Sequence, residues 1–381
     1  MKKTVAVIAG TRPEAVKLCP VLLALRDHAE LAGSLWVTAQ HRQMLDQALE
    51  AFGVTPDTDL DLMRPGQTLC SFMARALEAL DAQFSAAPPD LVLVQGDTAT
   101  TLAGAMAAFY HRIPVGHVEA GLRTGNLEAP WPEEANRLMI SRIAALHFAP
   151  TGESRDNLLR EGAAPDRVFV TGNTGIDALL MMADRVRRGV PEVPGLPPRS
   201  DAAWWGRPLV LVTLHRRESF GEGFERFCGA LAALAAEFPG VNFVYPVHLN
   251  PHVRGPVNRI LAVPGLENVH LIEPLDYPAF VSLMDEARLI LTDSGGVQEE
   301  ASTLGRPTLV LRETTERPEA VAAGALRLVG TDPALILAAA RAVLSGAESW
   351  GDGGGARIYG DGAASPRIVK VCADFLRGRD A

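Results

Sequence analysis

The amino-acid sequence predicts an α/β protein built from two doubly wound parallel sheets, and three observations lead there. Short β-branched runs alternate with longer stretches of helical spacing along almost the whole chain, the pattern of a parallel sheet covered by helices. The 381 residues exceed what one core ordinarily takes, and roughly 150 residues per domain gives about two domains. A proline-rich stretch between Arg187 and Trp205 breaks the alternation midway, after which it begins again.

In the first half, VAVIAG (5–10), LWVTA (35–39), LVLVQ (91–95), PVGHV (114–118), LHFAP (146–150) and VFVTG (168–172) read as strands. Glu14 to Asp27, Gln67 to Phe84 and Ala99 to His111 space their apolar residues as helices do. Ligands of such a sheet bind beyond the carboxyl ends of the strands, so the loops after Ala9, Val94 and Val118 are the places to look. The stretch Arg187 to Trp205, with four prolines and no usable period, reads as an interdomain connection. Beyond it LVLVTL (209–214), VNFVYP (241–246), VHLI (269–272), LILT (289–292) and TLVL (308–311) repeat the pattern. The glycine-dense 351–365 has neither the preceding strand nor the following Gly-Lys-Ser/Thr of a phosphate loop, and reads as a flexible connection. Pro366 then opens a last helix, expected to pack back on one of the domains.

Composition narrows the function classes. With 48% hydrophobic and 21% charged residues the chain is an ordinary globular protein. Its net charge of −9, without a Lys/Arg block, argues against a nucleic-acid or membrane partner, and an anionic small molecule must then rely on local Arg and Lys. Cys19, Cys70, Cys228 and Cys372 form no C-x-x-C unit, so reduced thiols in the cytoplasm are expected. The apolar run Val5 to Ala9 is too short for a signal peptide's core, and no run reaches the ~18 residues of a membrane span. Asp57-Thr58-Asp59-Leu60-Asp61 contains two D-x-D patterns that suit a divalent cation, but it reads as a polar loop after a helix, and no metal is expected.

The densest chemistry lies in Gly116 to Arg137, GHVEAGLRTGNLEAPWPEEANR. Carboxylates held near one another or near an anion have raised pKa values, which suits proton transfer near neutral pH. Glu133 and Arg137, at i,i+4 behind Pro132, also fit an ordinary helix ion pair. In Gly10 to Lys17, Pro13 starts a helix whose N-terminus attracts an anion, with Arg12 and Lys17 adding full charges. Asp97 in Gln95-Gly96-Asp97-Thr98 fits either a catalytic carboxylate or the N-cap of the next helix. In Leu214 to Gly221, His215 stands beside Arg216 and Arg217, an imidazole suited to protonating a departing phosphate. Ser294, Gly295 and Gly296 form a strand–turn–helix junction whose amides and hydroxyl suit a diphosphate. Glu300, one turn further on, suits ribose hydroxyls, and Arg317 follows the next strand.

Taken together, GTRPEAVK, QHRQMLDQ (40–47), QGDT, HVEAGLRTGNLEAPWPEEANR, HRRESFG, DSGGVQEE and TTERPEA, in this order across almost the entire chain, resemble the non-hydrolysing UDP-N-acetylglucosamine 2-epimerases. That resemblance implies a GT-B fold, two Rossmann-like domains facing across a deep cleft. The N-terminal domain is expected over 1–171, with helix 366–381 returning to it, and the UDP-binding domain over 172–365. It implies interconversion of UDP-N-acetylglucosamine and UDP-N-acetylmannosamine by elimination of UDP to 2-acetamidoglucal and re-addition, without cofactor, in a homodimer that serves polysaccharide biosynthesis. Asp97, Glu119 and Glu133 then match the acid/base carboxylates, and His215 the group assisting UDP departure. Arg12 and Lys17 match cationic substrate contacts, and Ser294, Gly295, Gly296, Glu300 and Arg317 the UDP cradle. Phe280 matches an aromatic residue at the uracil. Leu275 stands where relatives often carry a uridine-contacting Gln. Gln40, His41, Arg42 and Gln43 fit part of a second, activating UDP-N-acetylglucosamine site, whereas Gly66 occupies the position of its additional Arg.

Four other readings compete, of which a GT-B glycosyltransferase would need an acceptor site, for which the sequence offers nothing positive. A hydrolysing 2-epimerase would release free N-acetylmannosamine and UDP, but typically carries a histidine- and glycine-rich sequence where this chain has HVEAGLRTG. An epimerase of a diacetamido uronic acid is disfavoured by PWPEEANR. A nucleotide-sugar sensor that has lost the chemistry predicts loss of an acid/base residue, and all four are present.

Overall fold

The alternation read from the sequence folds into two parallel sheets, each in its own unit. The structure, a computed structural model, describes residues 2–39, 42–214, 221–315, 317–347, 350 and 358–379. One unit is Met1–Met181 with Gly360–Ala381, the other Met182–Tyr359.

The first unit runs β1 (Lys3–Ala9), α1 (Arg12–Asp27), β2 (Leu31–Val37), α2 (Arg42–Phe52), β3 (Thr58–Asp59), α3 (Leu69–Ala86), β4 (Leu91–Gln95), α4 (Ala99–Tyr110), β5 (Val115–Val118), α5 (Glu133–Ile143), β6 (Leu146–Ala149), α6 (Gly152–Arg160), β7 (Val168–Val170) and the start of α7 (Thr174–Arg188). Its strands lie in the order β3-β2-β1-β4-β5-β6-β7, all parallel. The order reverses between β1 and β4, and the loops leaving those strands flank the crevice where doubly wound sheets bind ligands. β4 is buried at every position, which explains its unbroken apolar run: helices cover both faces. Ile8, Val92 and Val94 pack there with Phe72, Leu80 and Phe84 of α3 and Leu102 of α4. Truncating any one of these leucines to Ala would cost about 2–5 kcal/mol. Gly10 must be glycine, because a Cβ there would stand 2.1 Å from the Thr100 Oγ1.

Asp57 to Asp61 corrects the sequence reading. Thr58 and Asp59 pair with Trp36 and Val37 as an edge strand. Arg42 binds Asp59 at 2.5 and 3.0 Å and Asp61 at 2.7 Å, while the Asp57 carboxylate accepts the Leu35 amide at 2.7 Å. These aspartates fasten β3 and α2 to the sheet. Among the described residues no group of three or more metal-ligating side chains occurs.

The second unit continues α8 (Ala202–Trp205), β8 (Leu209–Thr213), α9 (Glu222–Glu237), β9 (Asn242–Pro246), α10 (Pro251–Leu261), β10 (Val269–Ile272), α11 (Tyr277–Glu286), β11 (Leu289–Thr292), α12 (Gly295–Thr303), β12 (Thr308–Val310), α13 (Pro318–Ala322), β13 (Arg327–Leu328) and α14 (Pro333–Leu344). The parallel order β10-β9-β8-β11-β12-β13 reverses between β8 and β11. The core packs Val210, Val212 and Leu291 against Phe227 and Leu231 of α9 and Ile336 of α14. The proline-rich stretch is not a free connection but part of this unit. Arg199 binds the Pro191 carbonyl at 2.9 Å, Glu286 at 2.8 Å and Ser282 at 2.8 Å, and its guanidinium stacks 3.5 Å over Trp205. A last helix, α15 (Ala364–Arg379), belongs to the first unit and packs on α1. The Asp177 carboxylate accepts the Ala364 and Ser365 amides at its N-terminus, at 3.1 and 2.6 Å. Among the described residues no helix is long and apolar enough to cross a membrane.

Candidate active site

Two polar constellations occupy the switch points of the two sheets. In the first unit the loop after β4 and the loop after β5 are stitched together. The Gly96 amide donates to the Val118 carbonyl at 3.0 Å, and His117 Nε2 lies 2.7 Å from the Gly96 carbonyl. His117 is wholly buried, and that burial pushes its pKa down to about 3, so the ring is neutral at neutral pH and donates to the carbonyl. Asp97 and Glu119 leave from these two loops.

Glu119 sits at φ +63°, a left-handed conformation that costs a non-glycine residue of order 1 kcal/mol and is held by its surroundings. Its Oε2 is ion-paired with Lys17 of α1 and accepts Gln95 Nε2 at 2.7 Å. The following Gly121, at φ +90°, passes so near the Ser154 carbonyl that a Cβ would lie 2.1 Å away.

Asp97 does not cap α4. Thr98 does, its hydroxyl accepting the Thr101 amide at 3.2 Å. The Asp97 carboxylate instead receives two bonds from Arg137 of α5, from Nε at 2.8 Å and Nη2 at 2.6 Å, and its carbonyl accepts Asn136 Nδ2 at 2.7 Å. Arg137 also reaches Glu134 at 3.1 Å. The other oxygen of the buried Glu134 carboxylate accepts the Thr124 and Gly125 amides, each at 3.0 Å. Arg137 therefore pairs with Asp97 and Glu134, not with Glu133. Glu133 is the first residue of α5, half-buried, and its side chain makes no hydrogen bond among the described residues.

Arg12 opens α1 and is half-buried. The amides of Gly10 and Thr11 are already taken by the fully buried Glu14, at 3.1 and 2.7 Å, and burial raises the Glu14 pKa. Any anion at this helix start would therefore depend on side-chain cations more than on those amides.

In the second unit, Ser294 is the N-cap residue of α12, followed by Gly295 and Gly296, and no side chain caps this helix. Thr68, Thr98, Thr151, Asp201, Asn250, Asp276 and Asp332 do cap theirs, whereas α5, α9 and α13 share with α12 a start without a side-chain cap. Nothing lies within 4 Å of where a Gly296 Cβ would stand. Glu300 accepts the Tyr277 hydroxyl at 3.2 Å, and Arg317 reaches Glu299 at 2.5 Å. Leu275, just before α11, and Phe280, within it, are half-buried. Gln43 is exposed on α2. His215, Gln40 and His41 lie outside the described residues.

Sequence reasoning missed Gln95, and it offered Glu133 as the partner of Arg137 where the structure pairs Arg137 with Asp97 and Glu134. The signal for Gln95 was its place as a polar residue ending the apolar run LVLVQ, where a side chain emerges at the carboxyl edge of the sheet. Nothing in the spacing distinguishes Arg137's long-range pairing from a pairing within α5.

Two doubly wound units, one with cation-anchored carboxylates at its switch point and one with an uncapped glycine helix start at its own, define a GT-B-fold enzyme of the nucleotide-sugar class. A family model described as UDP-N-acetylglucosamine 2-epimerase matches residues 23–373. The chain is 53% identical over 368 residues to the UDP-N-acetylglucosamine 2-epimerase of Yersinia pestis, covering 96% of this chain and 97% of that one. It is 52% identical over 368 residues to that of Escherichia coli K12, with the same coverage of 96% and 97%. The crystal structure of the Neisseria meningitidis UDP-GlcNAc 2-epimerase bound to UDP-GlcNAc is similar at a TM-score of 0.83 and 44% identity, covering 97% of this chain and 100% of that one. The chain belongs to the UDP-N-acetylglucosamine 2-epimerase family, and is an isomerase.

Proposed function

We propose that the chain is a non-hydrolysing epimerase that inverts carbon 2 of the sugar, interconverting UDP-N-acetylglucosamine and UDP-N-acetylmannosamine. One observation carries the reading. Asp97 and Glu119 leave adjacent loops of one sheet edge, and each carboxylate is anchored by a cation, Arg137 and Lys17. Inversion needs proton transfer on both faces of one carbon, which a single base is poorly positioned to serve. A carboxylate removes the carbon-2 proton while the carbon-1–oxygen bond breaks, giving 2-acetamidoglucal and UDP. Re-addition of UDP at carbon 1, with a proton delivered to the opposite face of carbon 2, completes the inversion. Asp97, Glu119 and Glu133 are the proton-transfer groups in this reading, and His215 assists the departing UDP. Ser294, Gly295, Gly296, Glu300 and Arg317 hold UDP, with Phe280 and the Leu275 backbone at the uracil. The neighbour's bound UDP-GlcNAc supports this ligand. The reaction is redox-neutral overall and calls for no cofactor.

The same reading makes the chain a cytoplasmic homodimer that supplies N-acetylmannosamine units for polysaccharide. Support comes from four free cysteines and from exposed Phe109, Tyr110 and Met139 on the packed helices α4 and α5. Sedimentation is expected to give twice the chain mass.

Incubation with UDP-N-acetylglucosamine in deuterated water tests the chemistry by NMR. Deuterium at carbon 2 with intact UDP-N-acetylmannosamine is expected. Accumulation of free N-acetylmannosamine would mean hydrolysis, and no exchange would leave a sensor or another substrate. Asp97→Asn is expected to bind UDP as before and lose nearly all turnover; unchanged turnover would remove Asp97 from the mechanism.

A further inference from the structure

A cavity lies at the opposite edge of the first sheet. It has a volume of about 500 Å³ and is lined by Ser141 and Arg142 at the end of α5, His147 of β6, the 162–164 turn, Arg167, and Phe375 and Arg379 of α15. Asp97 and Glu119 leave the carboxyl ends of β4 and β5, whereas this cavity is framed by the turns that enter β6 and β7. It is therefore not a part of the constellation described above.

Its charge departs from that of the whole chain. The net charge is −9, yet three guanidinium groups and no acidic side chain line this cavity. None of the three has a strong carboxylate partner among the described residues. Arg142 donates to the Glu161 carbonyl at 2.5 Å. Arg167 has only its exposed neighbour Asp166 at 3.6 Å, and both Arg167 and Arg379 lie over the Phe375 ring, at 5.2 and 5.7 Å. Three like charges gathered with only Asp166 and Glu161 as nearby counter-charge among the described residues, the latter already held by Arg123, repel one another, a cost that a bound anion relieves.

The wall adds a neutral donor. His147 is 3% exposed, and its Nδ1 is buried without a hydrogen-bond partner. An orphaned buried polar atom costs free energy unless a ligand or water satisfies it. Burial pushes the His147 pKa down to about 4, so at neutral pH the ring is an uncharged donor or acceptor. Guanidinium forks match phosphate oxygens in pairs, and the volume falls within the usual ~300–1,000 Å³ of small-molecule sites.

We propose that this cavity binds a multiply charged phosphate anion of the diphosphate class, held by Arg142, Arg167 and Arg379 with His147 at the wall. The probe is inorganic pyrophosphate, titrated calorimetrically into the full chain already saturated with UDP, so that any site for UDP is filled. One further site per chain is expected, with an affinity that falls steeply as salt is raised. In the double variant Arg167→Ala with Arg379→Ala, both residues being exposed, the affinity is expected to drop at least tenfold while the thermal midpoint and the UDP affinity stay as in the parent chain. No binding to the UDP-saturated parent at millimolar pyrophosphate, or equal affinity in parent and variant, would overturn the proposal. His147→Phe provides a second reading: weaker binding in a folded variant supports the wall contact, and unchanged binding removes His147 from the site.

Discussion

Arg137 turns a sequence of crowded charges into an ordered one. Two of its nitrogens hold Asp97 and a third reaches Glu134, and Glu134 in turn fixes the 124–125 turn. A lysine ammonium is a point charge on a flexible stem and cannot keep both carboxylates in the same geometry. Arg137→Lys is therefore expected to lower kcat by ~10–100-fold, as misplacement of a catalytic group by about 1 Å does, with UDP affinity within about twofold of the parent. Single-turnover kinetics and UDP titration check this, and an unchanged kcat would reduce Arg137 to a scaffold residue. The sequence could not supply this pairing, because i,i+4 spacing on a helix is visible in one dimension and a contact between residues 97 and 137 is not. Glu119 and Lys17, 102 residues apart, are likewise joined only by the order of the strands.

Helix starts divide the elements into those that are closed and those that are open. Thr98 closes α4 and also donates to the buried Glu14 at 2.8 Å, tying α4 to α1. Thr98→Ala is expected to cost ~1–2 kcal/mol of unfolding free energy, the usual worth of such a cap with one further buried bond. Ser294 makes no such cap bond, so Ser294→Ala is expected to leave the denaturation midpoint in place while weakening UDP binding ~5-fold, by about one hydrogen bond. Denaturant titration and UDP calorimetry on the two variants separate the roles; a large stability loss in Ser294→Ala would contradict the open-helix reading. The elements themselves were legible where burial on both faces wrote long apolar runs, as in β1, β4 and β8. The two-residue strands β3 and β13 are too short to show a period, and the aspartates of β3 suggested a cation site because their partner, Arg42, lies on another element. The stretch 189–201 lacks a period because its order comes from single anchors such as Arg199, not from a repeating face.

At the scale of the whole molecule, stability toward acid depends on two buried histidines. His117 and His147 face each other in register across β5 and β6, and burial pushes their pKa values down to about 3 and about 4. Unfolding restores each to the ordinary value near 6.5. Below that value the unfolded chain binds protons that the folded chain refuses, so the contribution is intact above pH ~6.5 and is lost progressively as the pH falls toward the folded-state values. At pH 5 each unfolded ring gains ~2 kcal/mol from protonation while the folded rings stay neutral, about 4 kcal/mol together. Carboxylates such as Asp361, which Arg367 holds at a pKa of about 2, contribute to the acid limb only at lower pH; between pH 7.5 and 5 His270, whose pKa burial also lowers, adds to the loss and Glu14, whose pKa burial raises, opposes it, so a single-histidine variant is needed to assign the share of His147. Guanidinium unfolding at the two pH values is expected to show a stability loss at pH 5, and His147→Gln, with no comparable group to protonate on unfolding, is expected to lose less than the parent by about 2 kcal/mol. An equal loss in parent and variant would assign the acid sensitivity elsewhere in the chain.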